Sequence, residues 1–216
     1  MSAPAYAPPD APPVILHEDD ALVFVDKPAG LLSVPGRGPE KADCMIARLA
    51  RIYPEILLVH RLDLDTSGVM VFARSPAAQR HLGNQFEARK TRKHYIARVA
   101  GLLAEKEGHV DLPLIVDWPN RPRQKICHNT GKPAQTDWKL LRHEDGNSRL
   151  RLVPLTGRSH QLRVHMQAIG HPILGDTLYA SGAGLNWPRL MLHAQSLRLT
   201  HPETGQGMTI SARVPF

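Results

Sequence analysis

The chain has 216 residues, enough for a full core, and 42% of them are apolar, which excludes wholesale disorder. No run approaches the ~18 apolar residues of a membrane span, and the only two cysteines, Cys44 and Cys127, form no CxxC, which argues against a disulfide framework or structural zinc. Lys and Arg total 27 against 20 Asp and Glu, a net charge of +7 with 12 histidines in reserve, so a polyanion such as nucleic acid is an expected partner, beside the plain reading of a basic soluble enzyme.

Residues 1–13 contain five prolines and no apolar period, which predicts an extended, flexible arm. The arm has neither the basic start and apolar core of a secretory signal nor the Arg-rich pattern of a transit peptide, so the cytoplasm is the expected compartment. The apolar runs at 14–17 and 21–26 flank Glu18-Asp19-Asp20 and read as a hairpin, closed by Lys27-Pro28-Ala29-Gly30. Asp43 is a candidate cap for a helix through Tyr53, stopped by Pro54. Residues 69–73 read as a short buried strand. Ser75-Pro76 is a strong helix start, Ser as N-cap and Pro in the first turn, for a helix to about Ala88. Residues 94–99 alternate as a strand and stop at Gly101. Runs at 134–143 and 149–154 predict two strands joined by Glu144-Asp145-Gly146-Asn147. Ser159 is placed to cap a helix ending at Gly170. Residues 197–200 and 208–214 read as final strands around Thr204-Gly205. Strands beside strands with few helices predict an α+β fold on a mostly antiparallel sheet, one domain over 14–216.

Several chemistries are missing. Gly131-Lys132 is followed by Pro133 and has Ile126 where a phosphate loop needs glycine. Gly182-Ala183-Gly184 lacks the third glycine of a dinucleotide fingerprint. There is no GxSxG and no HExxH, and His160 and His165, five apart, do not share a helical face. An enzyme with this sequence works with side chains alone.

Three segments concentrate polar groups between apolar flanks. His60-Arg61-Leu62-Asp63-Leu64-Asp65-Thr66-Ser67-Gly68 lies between apolar runs at 56–59 and 69–73, so it is a loop at a sheet edge, where catalytic groups collect. An ordinary turn, with Asp63 bonding its own backbone, fits that spacing too. The basic stretch Arg89, Lys90, Arg92, Lys93 and His94 precedes Tyr95, a pattern that suits phosphate contact plus stacking on a base. It also suits a solvated helix end with a core tyrosine. In Thr156-Gly157-Arg158-Ser159-His160-Gln161-Leu162-Arg163-Val164-His165, Ser159 and Arg163 are four apart on the predicted helix. Arg163 near a helix start opposes the dipole and needs an anionic partner.

Together, in order and spacing, these segments resemble the RluA family of pseudouridine synthases: HRLDxDTSG at 60–68, K-x-Y at 93–95 and TGRSHQLRVH at 156–165. Residues 25–36, Asp117-Trp118-Pro119-Asn120-Arg121-Pro122 and Gly170-His171-Pro172-Ile173-Leu174-Gly175-Asp176 are similar to further family segments, so the likeness spans about 14–214. It implies the pseudouridine synthase fold, a mostly antiparallel mixed sheet flanked by helices with an active-site cleft along it. Longer relatives carry an S4 RNA-binding domain, for which 13 leading residues leave no room.

The resemblance implies an isomerase: the N1–C1′ bond of uridine breaks, the uracil turns, and C5 bonds to C1′, with no cofactor, nucleotide or metal. Asp63 matches the catalytic aspartate, which acts either on C1′ or by taking the 2′ proton. Arg163 matches the arginine that pairs with that aspartate and favours its charged form. Tyr95 matches the tyrosine that stacks on the base and helps remove the C5 proton. Arg61 resembles the arginine that fills the gap left by the flipped nucleotide. His60, Arg89, Lys90, Arg92, Lys93, Arg158 and His160 are the expected RNA contacts. The implied partners are a 23S rRNA hairpin loop and, for the short member, the tRNA anticodon stem-loop, bound by a monomer with no membrane contact. A non-catalytic RNA binder of the same fold and a basic glycoside hydrolase are the rival readings. The hydrolase needs a second carboxylate, and Asp65 would point away from Asp63 in an extended segment.

Overall fold

The structure, a computed structural model, describes residues 6–216. In chain order the strands are β1 (Val14–Glu18), β2 (Leu22–Lys27), β3 (Leu57–Leu58), β4 (Ser67–Ala73), β5 (Arg92–Val99) and β6 (Glu107–Asp111). There follow β7 (Leu114–Val116), β8 (Gln124–Ile126), β9 (Gln135–Glu144), β10 (Asn147–Pro154), β11 (Leu192–Thr200) and β12 (Gly207–Ser211). The α-helices are α1 (Met45–Ala50), α2 (Pro76–Glu87) and α3 (Gln161–Ala168). The fold class is α+β, as the pattern of strands predicts.

The chain forms two compact units, one of residues up to Arg92 with Ala194–Arg213, the other of Lys93–His193 with Val214–Phe216. The chain passes between them inside β5, inside β11 and a third time from Arg213 to Val214, and composition marks none of these crossings.

In the first unit the strand order is β1-β2-β4-β11, with β3 along β4 and β12 along β11. The β1–β2 turn is closed by Asp19, whose Oδ1 accepts the N–H groups of Ala21 and Leu22 at 2.9 and 2.8 Å. Every residue of β4 is buried, which is why the run reads as continuously apolar. Phe24, Val69, Val71, Leu82, Leu197 and Leu199 belong to this unit's core. Gly68 sits at φ +116°, and a Cβ there would come within 2.2 Å of the Ala194 carbonyl oxygen, so both backbone and packing demand glycine. Helix α2 starts as its sequence predicts, with Ser75 Oγ accepting the Ala78 N–H at 3.1 Å. Helix α1 differs: it begins after Cys44 and ends at Ala50. Asp43 does not cap it, because its carboxylate takes the fork of Arg48, Nε to Oδ1 at 2.8 Å and Nη2 to Oδ2 at 2.6 Å.

Of the predicted arm at 1–13, residues 1–5 lie outside the described residues. Residues 6–13 have no regular structure. Tyr6 ties them to the first unit: its hydroxyl donates to the Asp43 carbonyl at 2.8 Å and accepts the Leu32 N–H at 3.0 Å.

In the second unit the order is β5-β10-β9-β6, antiparallel throughout, with β7 and β8 as a separate hairpin. Asp145 and Gly146, both at positive φ, make the two-residue turn between β9 and β10. The short strands β6, β7 and β8 have no counterpart in the sequence prediction. Ala97, Val99, Leu150, Leu152, Leu162 and Met166 are core residues. Helix α3 starts at Gln161, not after Ser159, so Ser159 lies off the helical face of Arg163. Its N-cap is His160 in the left-handed region, φ 53°, and the Gln161 side chain folds back to accept the Arg158 N–H at 3.0 Å. Among the described residues no helix is long and apolar enough to cross a membrane.

Candidate active site

In the first unit, the 60–66 loop is held from below. Lys27, 0% exposed, donates from Nζ to the carbonyls of Pro28 (2.8 Å), Leu31 (2.7 Å) and Leu64 (3.0 Å). The Gly30 N–H also donates to Leu64 O at 3.0 Å. Ser33 Oγ donates to Leu62 O at 2.8 Å and accepts the Leu62 N–H at 3.1 Å. These bonds leave the loop backbone little freedom on either side of Asp63. Thr66 N–H donates to Asp63 O at 3.2 Å, so 63–66 is a turn and not the extended run in which Asp65 was placed opposite Asp63. Asp63 is half-buried and Arg61 exposed. His60 has its own place in the packing: Nε2 accepts the Val71 N–H at 3.1 Å, and the ring stacks on Phe86 with centroids 4.7 Å apart.

In the second unit, β5 presents Tyr95, half-buried and packed against the core, opposite Leu152 of β10. Lys93 lies two residues before it and is half-buried, and burial pushes its ammonium pKa down. The 156–163 segment is fixed by a buried polar network. Gln161 donates from Nε2 to Gln135 O (2.8 Å) and Thr136 Oγ1 (3.0 Å), and its Oε1 accepts from Thr156 Oγ1 (2.7 Å). His165, fully buried, lies with Nε2 3.0 Å from Leu112 O and Nδ1 3.0 Å from Thr136 Oγ1. A ring nitrogen facing a carbonyl must donate, so Nε2 carries the proton and Nδ1 accepts from the threonine. Burial pushes this imidazole's pKa down and keeps it neutral.

Arg163 is 3% exposed, and its fork closes on Asp176, 0% exposed, Nε to Oδ2 and Nη2 to Oδ1, both at 2.7 Å. Asp176 Oδ1 also accepts the N–H groups of Leu178 (3.0 Å) and Tyr179 (3.1 Å). Sequence reasoning required an anion for Arg163 but gave Asp176 no role, although its segment was among those matching the family. Lys27, at the end of a strand and in the family-like 25–36 segment, was likewise given no role. His160 Nδ1 is 2.8 Å from the Tyr179 hydroxyl, which also accepts the Gln124 N–H at 2.7 Å. Arg158 is half-buried, Nε donating to Pro133 O at 3.2 Å, whereas Arg89, Lys90 and Arg92 are exposed. Among the described residues no group of three or more His, Cys, Asp or Glu is arranged to hold a metal ion.

A family profile described as RNA pseudouridylate synthase matches residues 21–168. The chain belongs to this family. It is therefore an RNA pseudouridine synthase, an isomerase, and the hydrolase and non-catalytic readings fall away. Over the full length of both chains it is 53% identical to the dual-specificity RNA pseudouridine synthase RluA of Escherichia coli strain K12. It is also 53% identical to the protein of that name in Yersinia pestis, over 94% of this chain and all of the relative. The solved structure of human RNA pseudouridylate synthase domain containing 1 superposes with a TM-score of 0.79 at 28% identity, covering all of this chain and 87% of that one. The pseudouridine synthase fold expected from the three motifs is the fold observed.

Proposed function

We propose that this synthase modifies uridines in two RNA contexts, a hairpin loop of 23S rRNA and the anticodon stem-loop of tRNA. The observation that carries this is the full-length, 53% identity to an enzyme named for dual specificity. The reading has it acting as a monomer on cytoplasmic RNA, and a loop target suits it, because flipping a nucleotide costs least where it is already unstacked.

In this reading Asp63 is the carboxylate at the sugar. The 60–66 loop, pinned by Lys27, Gly30 and Ser33, supports that role by presenting the group without reorganisation. Arg163 is the cationic member of the catalytic set in this reading, and its orientation is fixed by Asp176. Tyr95 stacks on the target base and its hydroxyl assists loss of the C5 proton. Arg61 fills the gap left by the flipped nucleotide. Arg89, Lys90, Arg92, Arg158, His60 and His160 contribute RNA contacts, the exposed cations meeting phosphates. The catalytic domain in this reading is 14–216.

The test uses RNA tritiated at uridine C5. Purified protein should release tritium from both a 23S hairpin and a tRNA anticodon stem-loop, and Asp63→Asn should release none while binding each RNA like the wild type. Release from one RNA only would remove the dual reading, and turnover by Asp63→Asn would remove the assignment of Asp63.

A further inference from the structure

We propose that Lys93 is a catalytic residue of this isomerase, whose ammonium stabilises the negative charge on uracil while the base is detached from the sugar. The proposal rests on the reading above in which Tyr95 stacks on the target base.

Three observations point to it. First, Lys93 and Tyr95 are two apart on β5, so the strand's alternation puts both on one face. Second, the ammonium lies against the 156–163 segment: a Cβ on Gly157 would sit 3.8 Å from Lys93 Nζ. Gly157 is not in the left-handed region, so its turn does not require glycine. What its missing side chain provides is open space beside the ammonium. Third, no hydrogen bond or ion pair to a described residue is made by this half-buried lysine, in contrast to the fully buried Lys27 with its three carbonyls. Its pKa is pushed down by burial alone. A cation withdrawn from water without a partner is unfavourable. An anion arriving with the substrate offsets that cost.

The reaction supplies such an anion. When N1–C1′ breaks, the bonding pair leaves with uracil and spreads over N1, O2 and O4, while C1′ becomes electron-poor toward the carboxylate. When C5–C1′ forms, the pair returns and the charge disappears. The C5 proton is then lost to a base and N1 gains one, so the sum is isomerisation. A preformed, poorly hydrated ammonium acts most strongly on charge that exists only in between. A phosphate contact is the competing role. The exposed Arg89, Lys90 and Arg92 are better placed for phosphates, and Lys93 is the member of the stretch that shares the tyrosine's face.

The experiment compares Lys93→Met with wild type in single turnover on a hairpin RNA, beside RNA affinity at several salt concentrations and melting curves. Lys93→Met should lower the rate by about 10²–10³-fold, the effect of removing one preorganised charge stabiliser. Its RNA affinity and salt slope should stay those of wild type. The same RNA with 5-fluorouridine at the target carries a more acidic base that leaves with less help. Conversion of its N-glycoside to a C-glycoside should therefore show a much smaller deficit in the variant. A salt slope lowered by about one unit with the rate retained would overturn the proposal in favour of a phosphate contact. An equal deficit on both RNAs would overturn it too. Should Lys93→Met fail to fold, Lys93→Gln takes the same tests. Tyr95→Ala run alongside separates the two readings, since wild-type affinity and rate in that variant would remove base stacking itself.

Discussion

Asp176 decides what Arg163 can do. A guanidinium at 3% exposure is tolerable only with a matched anion, and the two-point fork on Asp176 fixes both its charge and its direction. Removing one partner of a buried pair costs about 3–5 kcal/mol, because the other charge remains. Asp176→Asn should lower the melting temperature sharply and depress tritium release even where the protein remains folded. Wild-type melting would show that the fork is replaceable. At Tyr95 ring and hydroxyl separate cleanly. Tyr95→Phe should bind RNA normally and lose about 10²–10⁴-fold in product formation, the usual share of a proton-transfer group. Full turnover would leave the hydroxyl without a part. Asp63, Tyr95 and Arg163 were nominated because each sits in a contiguous signature. Asp176 was not, because its contact with Arg163 spans 13 residues and no spacing rule links them.

Among the elements, those with local signals were legible and those set by tertiary contacts were not. Ser75-Pro76 both caps and starts α2 from within its own sequence, and Asp145-Gly146 makes its hairpin unaided. The start of α3 was misplaced because Gln161 bonds backward to Arg158 and sideways to β9, a network invisible to spacing. The same happened at Asp43, which Arg48 claims. His165 sits at the heart of the α3–β9 network and gives it a pH signature. Burial holds the folded imidazole's pKa below its unfolded value of about 6.5, so as pH falls the unfolded chain takes the proton first. The stability contributed is whole above that value and declines below it, by at most about 1.4 kcal/mol per pH unit for one proton. Chemical denaturation between about pH 7 and pH 5 should show a steeper loss for wild type than for His165→Gln. Parallel slopes would mean that the buried ring titrates as in water.

For the whole molecule, net charge of +7 was the first clue to an RNA partner, and it predicts how binding responds to salt. Affinity should fall steeply as salt rises, and Arg92→Ala should reduce the log–log slope by about one unit if that exposed guanidinium meets a phosphate. A flat response would mean that the positive surface is not what holds RNA. The fold class was legible from strands following strands. The two-unit organisation was not, because two of its three crossings lie inside β5 and β11. Those crossings bear on how the chain is born. The first unit's strand β4 is buried over its whole length and lies between β2 and β11, yet β11 is made more than a hundred residues later. While the ribosome reads the codons in between, β3 covers only the Phe72–Ala73 end of that edge and the rest of the strand's edge stays unsatisfied. A nascent chain stalled before residue 194 should therefore be protease-sensitive at 67–73 and attract chaperones, and release of the last twenty or so residues should end both at once.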